Sequence, residues 1–90
     1  MFRYKRGIAV SYERQGYICF LSRRYRELDE EGRREIRCLC RKAGGAYHRA
    51  LFEFVTTDES ATALTLRHHV SRATLYRAVQ RYYELFDERL

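Results

Sequence analysis

The apolar pattern between residues 60 and 86 restricts the fold of this 90-residue chain more than any other feature. Apolar side chains recur there with the spacing of one helix face, at Leu75, Ala78, Val79, Tyr82, Leu85 and Phe86. Ser71 stands just before this run, where serine commonly caps a helix. A shorter apolar pattern, with Ala61, Leu64 and Thr65 facing inward, precedes it. The segment therefore predicts a short helix from about Glu59 to Arg67, a tight turn at 68–70, and a longer helix over about 71–86.

Charge is distributed unevenly along the same segment. The chain carries 18 lysine and arginine residues against 12 acidic residues, and nearly all of the cations are arginine. From Ser60 to Tyr83 there are four arginines, two histidines and no acid. The guanidinium fork matches phosphate groups and guanine edges. A patch of one sign on a basic chain therefore indicates contact with nucleic acid, although a solvated basic surface remains open as the alternative.

The residues around the turn resemble the helix-turn-helix segments of bacterial transcription regulators, resolvases and sigma-factor region 4. Those segments commonly run apolar-Ala, three residues, Gly-Val/Ile-Ser, two residues, Thr-Val/Leu. The matching positions here are Leu64-Thr65, His69-Val70-Ser71 and Thr74-Leu75-Tyr76-Arg77. The resemblance covers less than a third of the chain and indicates no family for the whole of it. It implies binding of double-stranded DNA, with the second helix in the major groove.

Two positions depart from that pattern. Thr65 stands where a small alanine usually lets the two helices touch, and His69 stands where glycine usually provides a positive φ. Histidine tolerates the left-handed conformation better than most residues, at a cost on the order of 1 kcal/mol. The turn is therefore expected to form with some backbone strain at His69.

The exposed face of the second helix provides the candidate DNA contacts. The candidates for reaching base edges are Arg72, Ala73, Tyr76, Arg77 and Gln80. Arginine can pair with guanine, glutamine with adenine, and alanine can contact a thymine methyl group. The candidates for phosphate contact are Arg67, Ser71, Arg81 and Thr57, the serine and threonine because each is expected at a helix amino terminus. For each of these side chains, ordinary solvent exposure is the alternative.

Residues 8–22 predict a β-hairpin. Gly16 would take a left-handed position in its loop, and Tyr12 would then pair with Ile18 across the two strands. A helix over 17–28 is the competing interpretation, because apolar residues in that range also have helical spacing.

Residues 29–55 predict one long helix or two nearly collinear helices. Asp29 is placed to cap the first turn, and the apolar face continues through Gly44 and Gly45 without losing phase. Two adjacent glycines cost about 2 kcal/mol in a helix interior, so they could instead mark a break, and they could let another backbone approach. The opposite face is basic, with Arg33, Arg34, Arg37, Arg41, Lys42 and Arg49. Thr57 or Asp58 would cap the following helix.

Together these patterns predict a single, mainly α-helical domain over 1–90, with a hairpin at 8–22 and a helix-turn-helix over 58–87; an all-α domain is the alternative. The first ten residues lack the apolar core of a signal peptide, and three cysteines are an odd number. We therefore expect a reducing, cytoplasmic location. No apolar run is long enough for a membrane span. No residue spacing indicates a metal, a cofactor or a catalytic site, so we expect no enzyme activity.

Three classes of function follow from these features. The first is a small transcription regulator of bacterial or phage type that binds a specific DNA sequence as a homodimer, because one motif makes few base contacts. The hairpin or the glycine face would then form the dimer interface. The second is an accessory factor within an RNA polymerase or recombinase complex. The third is a protein-interaction module without nucleic-acid binding, which the eight tyrosines would suit.

Overall fold

The computed structural model describes residues 9–90, which form α-helices and no β-strand in that range. The helices are α1 (Tyr12–Arg23), α2 (Glu30–Gly44), α3 (His48–Thr56), α4 (Ala61–His68) and α5 (Arg72–Glu88). Single 3-10 turns at Tyr25–Glu27 and Gly45–Tyr47 join α1 to α2 and α2 to α3. The described part of the chain is therefore all-α. None of its helices is both long and apolar enough to cross a bilayer.

Helix α5 is the centre of the packing, because it contacts each of the other four helices. Its buried face is the stripe that the sequence predicts, with Tyr83 added and Leu85 only partly covered. Ile36, Leu39 and Cys40 of α2 and Leu51 of α3 complete the core with it. Burying one such large apolar side chain stabilises the fold by about 1.5–3 kcal/mol. This apolar contact area holds α5 firmly and leaves its other face to solvent.

The predicted β-hairpin is wrong over the part of it that the structure describes; its first residue, Ile8, lies outside the described range. The Ser11 hydroxyl accepts a hydrogen bond from the Arg14 N–H at 3.3 Å and caps α1. Gly16 lies inside that helix and not in a left-handed turn. The competing helix over 17–28 was nearer, but α1 begins earlier and ends at Arg23.

The hairpin prediction failed because α1 buries polar side chains and exposes aromatic ones. The Gln15 amide donates to the Val10 carbonyl at 3.0 Å, and the Ser22 and Tyr82 hydroxyls share a hydrogen bond of 2.6 Å. Tyr17 and Phe20 remain largely exposed on the outer face. The spacing of apolar residues does not indicate a helix whose buried face is partly polar. The strand propensity of residues 8–22 therefore favours a hairpin in the sequence prediction.

The helix is interrupted at the glycine pair, and α2 and α3 are not collinear. Helix α2 ends at Gly44, and Gly45 has a φ of +55°, which favours glycine. Phe52 of α3 packs on the Tyr25 ring, whose hydroxyl also accepts a hydrogen bond from Arg37 of α2. Helix α3 therefore folds back beside α2. The phase of the apolar face was correct for each helix but could not reveal the reversal.

Gly44 allows this reversal by its lack of a side chain. A Cβ at that position would lie 3.3 Å from the Leu51 Cδ2 atom, which is tighter than ordinary van der Waals contact. The close approach that the glycine pair predicts is therefore made by the chain's own α3.

Candidate nucleic-acid interface

Helices α4 and α5 are joined by a three-residue turn, His69 to Ser71. His69 has φ 53° and ψ 46°, the left-handed conformation that the sequence places there. Val70 is buried, and the Ser71 hydroxyl accepts a hydrogen bond from the Thr74 N–H at 3.1 Å, which caps α5. The turn and the cap thus agree with the sequence prediction, and the strain at His69 is of the order of 1 kcal/mol.

The cap of α4 is Ser60 and not Thr57 or Asp58. The Ser60 hydroxyl accepts from the Ala63 N–H at 3.1 Å. Thr57 instead ends α3, where its hydroxyl donates to the Glu53 carbonyl. Short hydroxyl side chains often bond back to the preceding helix turn in this way. The sequence predicts a phosphate contact for Thr57 because it places this residue at a helix amino terminus, and that placement is wrong.

The outward face of α5 brings three of the predicted base contacts into one strip. Ala73, Arg77 and Gln80 are exposed and lie opposite the buried stripe of that helix, one turn apart. Arg81 is exposed at the edge of the strip. The strip ends at Glu84, whose carboxylate accepts a hydrogen bond from the Gln80 amide at 3.5 Å. This face is therefore cationic and free of acid from the start of α5 to Arg81.

The other two predicted base contacts lie towards the neighbouring helices. The Arg72 guanidinium donates to the Thr62 hydroxyl at 2.6 Å and links the first turns of α4 and α5. The Tyr76 ring packs edge-on against Phe54 of α3, with ring centroids 6.3 Å apart. Both side chains are still exposed, but each is held by a contact within the protein. They flank the strip and do not lie at its centre.

The cations along the motif differ in how far they are already paired. The Arg67 guanidinium forms ion pairs with Glu59, at 3.2 Å, and with Glu53. These two carboxylates raise the pKa of Arg67. Phosphate contact by Arg67 would have to compete with both ion pairs. Within residues 9–90, by contrast, Arg77 and Arg81 have no ion-pair partner, and Arg77 only reaches the Thr74 hydroxyl at 3.4 Å.

Glu53 was missed by the sequence interpretation. Its second carboxylate oxygen lies 2.9 Å from His68 Nε2, so one residue of α3 holds two adjacent residues in the last turn of α4. These partners are 14 and 15 residues away along the chain and lie on another helix, so no local spacing could reveal the contact. Glu53 therefore positions the end of α4 directly before the left-handed His69.

Ser71 was predicted to meet phosphate, and its hydroxyl is already engaged in the turn. It donates to the Thr74 hydroxyl at 2.8 Å while it accepts from the Thr74 N–H. The backbone N–H groups of Arg72 and Ala73, in the first turn of α5, are the ones that this cap leaves unbonded. Helix amino termini attract anions through such groups and through the helix dipole. A phosphate would thus meet the backbone here and not the serine side chain.

The cysteines form no cluster of ligands in the described structure. Cys19, Cys38 and Cys40 are free, and residues 9–90 contain no group of His, Cys, Asp and Glu that could hold a metal ion. Burial raises the pKa of the Cys40 thiol to about 12. A thiol with that pKa is unreactive near neutral pH.

The chain was also compared with known proteins. Comparison with protein-family models, curated proteins and solved structures finds no match.

Proposed function

We propose that this protein binds a specific sequence of double-stranded DNA and acts as a small transcription regulator. One observation carries the proposal. A turn with left-handed His69 joins α4 to a Ser71-capped α5, whose outward face is cationic and acid-free as far as Arg81. A recognition helix needs this combination, because it must be held rigidly and must present donors to the edges of bases.

In this proposal, the amino-terminal half of α5 enters the major groove. Arg77 and Gln80 lie in the centre of the outward strip and read base edges, guanine and adenine being their preferred partners. Ala73 lies one turn before Arg77 and contacts a thymine methyl group. Arg72 and Tyr76 contact the groove from the flank, where Thr62 and Phe54 already orient them.

The proposed phosphate contacts neutralise charge on the DNA backbone and do not read the base sequence. Arg81 is exposed and has no ion-pair partner within residues 9–90, so it can neutralise a phosphate without giving up an ion pair in that range. The first N–H groups of α5 provide a second contact. Arg67 contributes mainly by neutralising Glu53 and Glu59, which would otherwise repel the backbone of the duplex.

The central experiment is selection of duplexes from a random pool at physiological salt with the isolated chain. We expect one enriched motif. An enriched palindrome would also support a homodimer, because a two-fold protein reads two half-sites about one helical turn apart. A pool that stays random, together with salt-dependent binding only when RNA polymerase or a recombinase is present, would replace the proposal by an accessory role. A pool that stays random with no salt-dependent affinity would remove DNA from the function.

Arg77→Ala tests the groove assignment. We expect weaker binding to the selected duplex by about 1–3 kcal/mol and relaxed preference at one base position. Arg34→Ala is the matched control, because it removes the same charge from an exposed position on α2. Equal binding by wild type and Arg77→Ala would show that α5 is not in the groove.

Arg81→Ala tests the backbone contact. The affinity of the variant should fall by a similar factor for all duplexes, and the slope of log affinity against log salt should become flatter by about one. The same slope in the variant and in wild type would exclude Arg81 from the DNA interface.

A homodimer belongs to the same proposal. A single α5 reaches few base pairs, and two copies on a two-fold site double the contact. Light scattering gives the mass in solution, and titration of a full site against a half-site shows whether two copies bind together. Binding of one chain to an isolated half-site, with no gain from the second half-site, would contradict the dimer.

A further inference from the structure

A cleft between α2 and α3 lies outside the face proposed to bind DNA. Its volume is about 330 Å³, which is within the usual range for sites of small ligands. The described residues that line it are Arg37, Arg41, His48, Arg49, Phe52 and Glu53. The cleft exists because the chain reverses at Gly44 and brings α3 beside α2. The sequence places Arg37, Arg41 and Arg49 on one basic face of a long or collinear helix over 29–55, and does not show that this face folds into a cleft.

The apolar part of the cleft is built from stacked side chains. Phe52 forms one wall, and Tyr25 packs edge-on behind it with ring centroids 4.9 Å apart. The Tyr25 hydroxyl accepts a hydrogen bond from Arg37 at 2.7 Å, and Glu30 accepts another from the same guanidinium at 3.0 Å. Arg37 is therefore held in place beside an aromatic surface. This arrangement provides a fixed cation and a flat apolar wall together.

The remaining charge in the cleft is positive and largely unpaired. Arg41 and Arg49 are exposed and have no ion-pair partner within residues 9–90. Glu53 is the acid among the described lining residues, and both of its oxygens are engaged by Arg67 and His68. The cleft therefore offers guanidinium donors to an anion, while its own carboxylate is already neutralised on the far side.

We propose that this cleft binds a small organic anion, a carboxylate carried on an aromatic ring. The ring packs on Phe52, and the carboxylate accepts hydrogen bonds from Arg41 and Arg49. Inorganic phosphate lacks the apolar part that would use Phe52, and a neutral aromatic alcohol lacks the charge that would use the arginines. Both features of the cleft are needed for the match.

The site also has a route to the proposed DNA-binding face, and this part rests on the proposed function. Glu53 lines the cleft and holds Arg67 and His68 in the last turn of α4, next to the left-handed His69. An anion in the cleft repels the Glu53 carboxylate and attracts the Arg67 guanidinium that is paired with it. The bound ligand therefore loosens the end of α4 and weakens binding of the duplex.

The first experiment uses the DNA-free protein and measures heat on titration with 1-naphthoate, 1-naphthalenemethanol or inorganic phosphate. We expect saturable binding of 1-naphthoate with one equivalent per chain and much weaker binding of the other two. Arg49→Gln should lower the affinity for 1-naphthoate about tenfold. The matched control Arg34→Gln should leave that affinity unchanged. The site would be overturned if the alcohol or phosphate bound as tightly as 1-naphthoate, or if Arg49→Gln bound 1-naphthoate as tightly as wild type.

The second experiment tests the coupling in two ways. Saturating 1-naphthoate should lower the affinity for the selected duplex about fivefold, and Glu53→Gln should abolish that difference. In the absence of DNA, the NMR signals of the His68 ring should shift with 1-naphthoate in wild type and not in Glu53→Gln. Binding of 1-naphthoate with neither effect would overturn the coupling.

Two further outcomes separate this inference from the proposed function. If wild type binds no duplex but still binds 1-naphthoate and shifts the His68 signals, the DNA proposal fails and the ligand site stands. If Arg41→Gln and Arg49→Gln weaken duplex binding and flatten its salt slope without changing the affinity for 1-naphthoate, the cleft belongs to the DNA interface and the ligand site is overturned.

Discussion

Helices α1 and α5 pack against each other but distribute their side chains in opposite ways. Helix α5 buries an apolar stripe and exposes arginines, as an amphipathic helix should. Helix α1 buries Gln15 and Ser22, with Ile18 between them, and leaves Tyr17 and Phe20 exposed. Both helices are stable parts of one fold. Their contrast shows that an apolar stripe is one way of attaching a helix and that satisfied polar contacts are another.

The polar attachment works because every buried group has a partner. In the described residues, no buried side-chain nitrogen or oxygen lacks a hydrogen bond. The Ser22 hydroxyl meets Tyr82 of α5, whose pKa is raised by burial, and Gln15 meets the backbone at Val10. An unpaired buried hydroxyl would cost about 1–3 kcal/mol, so the Ser22–Tyr82 contact stabilises the docking of α1 on α5, while the Gln15–Val10 hydrogen bond satisfies the buried amide locally.

The largest expected effect is the loss of the apolar attachment of α5. Leu75→Ala removes a fully buried side chain and should lower the free energy of unfolding by about 2–5 kcal/mol, measured by urea denaturation. Leu66→Ala, at a position that is 72% exposed, is the matched control and should change it by less than about 0.5 kcal/mol. Similar losses in both variants would contradict the packing described for α5.

The polar attachment of α1 is tested by a double-mutant cycle. Ser22→Ala leaves the Tyr82 hydroxyl buried without its partner and should cost about 1–3 kcal/mol in the free energy of unfolding. Tyr82→Phe should cost a similar amount. The double variant removes both hydroxyls and should lose clearly less than the sum of the two. Additive losses would mean that the 2.6 Å contact does not couple α1 to α5.

The strain in the turn before α5 gives a smaller effect of opposite sign. His69→Gly removes the strain of the left-handed conformation, and we expect it to stabilise the fold by up to about 1 kcal/mol. The gain is limited because glycine has more conformational freedom in the unfolded chain, which opposes folding. His48→Gly is the matched control. Its φ is −61°, so glycine there should destabilise by about 1 kcal/mol. Destabilisation by His69→Gly would indicate that the imidazole makes a contact worth more than the strain.

The smallest effect concerns the exposed rings of α1. Tyr17→Gln and Phe20→Gln should each change the free energy of unfolding of the monomer by about 0.5 kcal/mol or less, since both side chains are more than half exposed. The guanidinium of Arg24 lies 5.0 Å from the Phe20 ring centroid, so Phe20→Gln should be the more costly of the two. A loss of several kcal/mol at low protein concentration would mean that the outer face of α1 is not free.

The carboxy-terminal half of the fold was predictable because its signals are local. All of these signals lie within one short segment: the Ser71 cap, the helical spacing of Leu75 to Phe86, and His69 at the turn position where glycine is usual. The exposure of Arg77 and Gln80 follows from the same spacing. Arg67 and Thr57 were less predictable, because their partners or their place relative to a helix end depend on other elements.

The sequence by itself determined which faces of α2 and α5 are apolar and where α5 begins, because helical period and capping act within a few residues. The tertiary structure alone decided that α1 is a helix, that α3 reverses beside α2, and that Glu53 reaches α4. Each of these depends on contacts between residues far apart in the chain, such as Ser22 with Tyr82 and Tyr25 with Phe52. Their energies appear only once the helices have packed, so no local pattern records them.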